Sequence, residues 1–154
     1  MREGIDMKGQ VSTELLVIVA LVLLIFIPLL VLVYLKTAEA NQQIASYQAE
    51  LTVTRLASLA NSVGSLGTNT SIVTDVYIPA NTEYLATNAS GRGAEISLKI
   101  TTPQGTQEPS DILKYPVSNP GVVVEPTGTG GWVKIRISSV YEGSEARLKI
   151  EQVR

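Results

Sequence analysis

The longest apolar run in the chain extends from Leu15 to Leu35 and contains no charged residue. At 1.5 Å per residue, a helix over this run is about 30 Å long, which matches the hydrocarbon core of a bilayer. Pro28 lies within the run, where it removes one backbone hydrogen bond and predicts a bend that membrane helices tolerate. The pattern predicts a membrane-spanning helix.

The helical pattern continues beyond this run, because neither Gly nor Pro occurs between Thr37 and Val63. Uncharged polar residues lie on one side of the predicted helix, and a largely apolar stripe lies on the other. The stripe consists of Ile44, Tyr47, Leu51 and Arg55, followed by Leu56, Leu59, Val63 and Leu66. We predict one helix over residues 10–66, ended by Gly64 and Gly67, whose second half covers the following domain.

From Asn69 onward, short β-branched and aromatic runs alternate with turn-forming residues. We predict strands over residues 71–78, 82–87, 94–101, 121–125, 132–141 and 145–153. Apolar and polar residues alternate in several of them, which is typical of antiparallel sheets with one buried face. The sequence of residues 141–145 is typical of a turn and predicts a terminal hairpin. The fold class is therefore α+β: a long, partly transmembrane N-terminal helix followed by a small antiparallel β domain, a sandwich or a meander.

The composition excludes several classes of function. Among 154 residues the net charge is −2, and no cluster of Lys and Arg indicates nucleic-acid binding. Cysteine and histidine are both absent, which removes disulfides, the usual zinc ligands and the commonest nucleophile–base pairs. We therefore expect no enzyme, no catalytic residue, no metal site and no cofactor.

Three features of the β region resemble sites but have simpler interpretations. The loop over residues 128–131 is Gly-rich, but it lacks the Lys-Ser/Thr of a phosphate loop and predicts a hairpin turn. Trp132 is predicted to be a core or rim residue at the start of a strand. Four acidic residues without calcium-loop spacing are predicted to be solvated: Asp75, Glu83, Glu108 and Asp111.

Two triplets fit the acceptor pattern for N-glycosylation. They begin at Asn69 and Asn88, and both lie in predicted turns. Such triplets also arise by chance in chains rich in Ser and Thr. Because we predict this part of the chain to lie outside the cell, Asn69 and Asn88 are candidate sites of glycosylation.

Basic residues near the apolar run indicate its orientation. Arg2 and Lys8 precede the run, whereas Lys36 follows it and the next basic residue is Arg55. Lys and Arg, rather than net charge, set orientation, so the N-terminus is expected on the cytoplasmic side.

The N-terminus has three interpretations. A secretory signal peptide would be cut after the Ala-x-Ala of residues 38–40, but its apolar region is normally about 7–15 residues long. An uncleaved signal anchor is the second. The third begins from Glu14, a carboxylate at the edge of the apolar run. Glu14 either complements the helix dipole in the first turn or awaits a positive partner.

The residues directly before the apolar run, which we call the junction (residues 8–14), support the third interpretation. Lys8-Gly9, followed by Gln10, Ser12 and Glu14, resembles the class III signal peptide of archaeal type IV pilins, with its Gln-x-Ser-x-Glu-x-x-x-Leu motif. The final Leu of that motif falls on Ile18, which is a departure from it. The resemblance covers residues 8–35. It implies that a prepilin peptidase cuts after Gly9 on the cytoplasmic side, so that the mature chain begins at Gln10.

The same resemblance implies how the chain assembles. The new α-ammonium of Gln10 lies close to Glu14, and a neighbouring copy presents its own ammonium to that carboxylate. The implied partners are other copies of the chain, the prepilin peptidase, an assembly ATPase, a polytopic platform protein and, before assembly, the membrane. The implied product is an adhesive filament on the cell surface.

Other classes of protein remain open at this stage. A single-pass, membrane-anchored surface binding protein would use the same β domain without cleavage or polymerisation. A secreted or anchored enzyme is a further alternative, although no convergent catalytic residues are visible. Within the filament class, an archaellin is an alternative to a pilin.

Overall fold

The computed structural model describes residues 6–90, 93–126 and 128–153, with side chains from Ser12 onward except that of Ser90. The chain forms two compact units, Met1–Asn41 and Gln42–Arg154, of which we call the second the outer unit. Helix α1 (Asp6–Leu66) runs through Pro28 and contributes to both. The predicted long helix is confirmed, and its first described turn lies four residues before Gln10.

The two glycines predicted to end α1 differ in role. Gly67 follows the last helical residue with φ of +93°, a conformation that glycine adopts without steric cost, so its predicted role is confirmed. Gly64 is buried inside the helix, and the prediction that it ends the helix is wrong. A Cβ atom at Gly64 would overlap the ring of Tyr115, so the glycine provides room for a packing contact.

Eight strands follow the helix in the described part of the chain. They are β1 (Ser71–Ile78), β2 (Thr82–Ser90), β3 (Gly93–Thr102), β4 (Gly105–Gln107), β5 (Ser110–Leu113), β6 (Gly121–Val124), β7 (Gly131–Glu142) and β8 (Glu145–Val153). The six predicted strands are present with small shifts at their ends. Strands β4 and β5 were not predicted, because three and four residues are too few to show an alternating pattern.

The strands form two antiparallel sheets. Sheet A has the order β1-β7-β8, and sheet B has the order β4-β3-β2-β6, with β5 also paired to β3. The terminal hairpin is confirmed, since Glu142 pairs with Glu145 across a turn in which Gly143 has φ of +68°. The α+β architecture is thus confirmed as a long helix followed by antiparallel sheets.

The Gly-rich loop is not a hairpin turn, and that prediction is wrong. The loop joins β6 of sheet B to β7 of sheet A, so it connects the two sheets. A Cβ atom at Gly130 would lie 2.7 Å from the backbone nitrogen of Ala80. Close approach of two backbones therefore requires glycine at this position.

The inner faces of both sheets share one hydrophobic core with α1. The helix enters it with a face rich in alanine: Ala49, Val53, Leu56, Ala57, Ala60 and Val63. The predicted stripe is therefore partly wrong, because Ile44, Tyr47, Leu51 and Leu66 are exposed. The buried face combines small alanines with Val53, Leu56 and Val63, whereas the large side chains Tyr47 and Leu51 lie on the solvent side.

Polar contacts attach α1 to one edge of each sheet. The Thr52 hydroxyl donates to the carbonyl of Tyr77 in β1 over 2.9 Å. The Asn61 amide donates to the carbonyl of Ile112 in β5 over 3.3 Å and accepts from the Lys114 N–H over 2.7 Å. Because β1 belongs to sheet A and β5 to sheet B, the helix closes the gap between the sheets on this side.

A second asparagine pairs with the edge of β8. The Asn119 side chain donates to the carbonyl of Ile150 over 2.9 Å and accepts from the Ile150 N–H over 3.2 Å. Val117 forms a parallel bridge with Leu148 beside it. The segment before β6 therefore occupies the place of a further strand on sheet A.

We expect Asn119→Ala to lower the free energy of unfolding by about 1–3 kcal/mol, because both backbone groups of Ile150 lose their partner. Urea titration of the detergent-solubilised full chain measures this change. Gln104→Ala removes an exposed amide and should change stability by less than about 0.5 kcal/mol. Equal stability of the two variants would show that solvent replaces the Asn119 contacts.

We expect Gly64→Ala to destabilise the outer unit, because overpacking costs about 1–3 kcal/mol and the gain in helix propensity returns at most about 1 kcal/mol. Ser58→Ala, at an exposed position of the same helix, provides the propensity change without the overlap. Thermal unfolding of both variants tests the difference. A Gly64→Ala chain as stable as Ser58→Ala would contradict the assigned contact with Tyr115.

Candidate functional site

The first candidate site is the apolar part of α1, which we call the apolar span (Leu15–Leu35). Its large apolar side chains are 46–75% exposed, on all sides of the helix. The helix contains a stretch long and apolar enough to cross a membrane. Soluble monomers rarely expose contiguous apolar patches of this size, so lipid or other protein must cover the span. This is consistent with a membrane anchor.

The ends of the apolar span are polar. At the C-terminal end, the Lys36 ammonium lies 2.8 Å from a carboxylate oxygen of Glu39, and both side chains are exposed. At the N-terminal end, Ser12 and Glu14 are exposed. The span is therefore bounded by hydrophilic groups, as expected of a segment that ends at membrane interfaces.

The predicted motif lies at the N-terminal end of the span. The backbones of Lys8, Gly9 and Gln10 are helical, and their side chains lie outside the described set. No basic side chain among those the structure describes lies within 4.0 Å of the Glu14 carboxylate. Glu14 is thus a carboxylate beside an apolar surface without a cationic partner in that set.

The helix dipole does not account for Glu14 in the uncut chain. Helix α1 is described from Asp6, eight residues earlier, which is more than two helical turns. The dipole effect is confined to the first turn, so the suggested placement of Glu14 in that turn is wrong for the full chain. Removal of residues 1–9 would place Glu14 about one helical turn after the new α-ammonium of Gln10.

The second candidate site lies on the outer face of sheet B. The Glu83 carboxylate lies 2.7 Å from the Lys99 ammonium and accepts from the Thr101 hydroxyl over 2.5 Å. The hydrogen bond from Lys99 lowers the pKa of Glu83 and raises that of Lys99. The Tyr84 hydroxyl donates to Glu108 over 3.1 Å, and desolvation is the main cause that raises the pKa of Tyr84.

This cluster offers little catalytic chemistry. It borders a wide depression of about 820 Å³ lined by residues that include Glu83, Tyr84 and Pro103. Glu83 is already paired with Lys99. In the described part of the chain, no three acidic side chains converge as metal ligands. Of the acids predicted to be solvated, Asp75 and Glu108 are exposed, whereas Glu83 and Asp111 are half-buried. Glu83 and Glu108 also accept hydrogen bonds from the Thr101 and Tyr84 hydroxyls.

The third candidate site is a groove between α1 and sheet A, which we call the tryptophan groove. It has a volume of about 410 Å³ and is lined by Gln48, Leu51, Thr52, Arg55, Val76, Tyr77 and Trp132. Trp132 is 69% exposed and meets the Tyr77 ring edge-on, with ring centroids 5.6 Å apart. It is a rim residue, one of the two predicted alternatives. The groove itself was missed, since only the pairing of β1 with β7 brings these two rings together.

Both predicted glycosylation sites are accessible. Asn69 lies in the turn after α1, with φ of +65°, and its backbone N–H bonds to Ser139. Asn88 is exposed on β2, opposite Glu95 of β3. The prediction that Asn88 lies in a turn is wrong, because β2 extends to Ser90. Glycosylation itself stays a prediction.

Comparisons extend these observations no further. No protein-family model, curated protein or solved structure matches this chain. The physical features that bear on its function are therefore the apolar span, the junction around Glu14 and the surfaces of the outer unit.

Proposed function

We propose that this chain is the structural subunit of an archaeal type IV pilus-like surface filament. The observation that supports the proposal most strongly is an apolar helix exposed on every side, with Glu14 at its N-terminal edge, five residues after Gly9 and without a cationic partner among the described side chains. Lipid covers the helix in the precursor. In the filament, the same helices of other copies cover it, and the outer units form the surface.

Processing after Gly9 would change the electrostatics of the junction. The new α-ammonium of Gln10 lies one helical turn before Glu14, about 6 Å along the axis. A carboxylate in the middle of a bilayer costs about 2.5–3.5 kcal/mol, and less near the interface. Pairing Glu14 with the ammonium of a neighbouring copy offsets that cost and fixes the register between the two helices.

The outer unit is suited to a position on the surface of a filament. Its core is built by both sheets and by the second half of α1, without any cysteine in the chain. Asparagine side chains cover sheet edges that would otherwise recruit foreign strands. Adhesion, a prepilin peptidase, an assembly ATPase and a platform protein are part of the proposal, as is a cytoplasmic N-terminus in the membrane-bound precursor.

We expect the mature chain to begin at Gln10. Peptide mass spectrometry of the native, cell-surface form gives the N-terminal residue directly. An intact Met1 would instead favour a membrane-anchored surface protein that does not polymerise. A start at Asn41 would mean a secreted outer unit without the apolar span, and either result would overturn the proposal.

We expect Glu14→Gln and Glu14→Ala chains to be made and inserted into the membrane but to yield at least about tenfold fewer filaments. Removing one partner of a desolvated ion pair costs about 3–5 kcal/mol, because the other charge is left unpaired. Electron microscopy and immunoblotting of sheared filaments measure the yield.

Glu39→Gln is the matched control, since it removes a carboxylate at the other end of the apolar span, where both partners are exposed. Exposed pairs contribute about 0–1 kcal/mol, so filament yield should stay near that of the unchanged chain. Normal assembly of stable Glu14 variants would show that this carboxylate has no role in register.

A further inference from the structure

Two surface patches on the outer unit are complementary to each other. The first is the tryptophan groove, in which Leu51 and Trp132 are each 69% exposed. The second is Ile112 on β5, which is 72% exposed and projects from the outer face of sheet B. In a typical anchor contact, one apolar side chain of one partner fills an apolar groove of the other. Ile112 and the tryptophan groove have the properties of these two parts.

The charges beside the two patches are opposite. The groove contains Arg55, whose guanidinium donates only to the neutral hydroxyl of Thr74 in the described structure, over 3.3 Å. Ile112 lies directly opposite Glu95 in the pairing of β5 with β3, so both side chains share one face of the sheet. Glu95 has no ion-pair partner among the described side chains.

A second carboxylate strengthens the acidic character of the Ile112 patch. Glu108 and Glu95 line the same depression on the outer face of sheet B. Glu108 accepts from the neutral Tyr84 hydroxyl, so its charge is not compensated by that contact. The Ile112 patch therefore has two carboxylates, Glu95 and Glu108, against the one exposed ammonium of Lys114, whereas the tryptophan groove contains the cation of Arg55.

The two patches lie on different sides of α1 and belong to different sheets. The groove lies where Thr52 bonds to β1 of sheet A, and Ile112 lies where Asn61 bonds to β5 of sheet B. Leu51 and Asn61 are ten residues apart, which separates the patches by about 15 Å along the helix. A contact between them must therefore join two copies.

We infer that Ile112 of one copy docks into the tryptophan groove of the next, with Glu95 facing Arg55, as the lateral contact between outer units. This inference rests on the proposed filament. A contact between two different patches is heterologous, and it propagates into an open helical assembly when its rotation does not close. Offset patches give each successive copy a stagger of about 15 Å along α1.

The two patches are too small to form a stable interface alone, so they act as an anchor within a larger interface. An aromatic side chain buries about 150–250 Å² in a core or interface, and a stable interface needs about 800 Å² on each partner. Trp132, Tyr77 and Leu51 therefore supply part of the area, and the apolar span supplies the rest. Opposite charges at the rim select the correct partner patch.

The absence of cysteine from the chain allows a direct test by crosslinking. Full-length chains that carry both Leu51→Cys and Ile112→Cys are assembled into filaments and treated with a short bis-maleimide. A heterologous contact predicts a ladder of dimers, trimers and longer products, and each single variant should stay uncrosslinked.

The matched control replaces the groove position by Tyr141→Cys, an exposed aromatic residue at the far end of β7. Together with Ile112→Cys it should give no ladder. A ladder in the control, dimers from either single variant, or filaments in which the Leu51/Ile112 pair stays uncrosslinked would each overturn the inferred contact.

Charge reversal tests the same contact without cysteine. We expect Arg55→Glu and Glu95→Arg each to lower filament yield at least about tenfold, and the double variant to recover most of it. Tenfold corresponds to about 1.4 kcal/mol at each contact. Yields that are unchanged in the single variants, or not recovered in the double variant, would contradict the pairing.

These outcomes separate the inference from the proposed function. Filaments with a Gln10 N-terminus that are insensitive to every one of these changes would disprove the Ile112 contact alone. An unprocessed chain that remains monomeric in the membrane would disprove both. If Trp132→Ala abolished binding of an external protein but left filament yield unchanged, the groove would belong to that partner and the inferred contact would be wrong.

Discussion

The insertion of the alanine-rich face of α1 between two sheets is the contact on which the rest of the structure depends. Ala49, Ala57 and Ala60 are buried, and their small side chains bring the helix close enough for Thr52 and Asn61 to reach the strand backbones. Without this helix, the facing edges of both sheets and the shared core would be open to solvent. The second half of α1 is therefore part of the outer unit, although in sequence it directly continues the apolar span.

Closure of the sheet edges determines where the outer unit can associate. Asn61 and Asn119 each satisfy both a donor and an acceptor of an edge backbone, which leaves those groups unavailable to a foreign strand. Unprotected edges pair with any extended chain, and that is a route to disordered aggregation. Association through side chains such as Trp132 and Ile112 is more selective, because shape and charge must both match.

The two units place opposite demands on their surfaces. The apolar span exposes its side chains on every side and requires lipid or other helices around it. The outer unit buries its apolar residues and exposes mixed charges, with small apolar patches between them. In the proposed filament, the helix would exchange lipid for the apolar helices of other copies, and Glu14 is the group for which that exchange would change the electrostatic energy.

The sequence by itself determined the elements with long, regular patterns. Uninterrupted hydrophobicity predicts the apolar span, glycine at a helix end predicts the end of α1 at Gly67, and period-2 alternation with turn signals predicts six of the eight described strands. Only the tertiary structure decided which side of α1 is buried, because the large residues Tyr47 and Leu51 dominate the pattern while alanines make the close contact. Pairing between distant segments also decides three other features, and no local sequence pattern predicts it. These features are strands β4 and β5, the connection through Gly130 and the tryptophan groove.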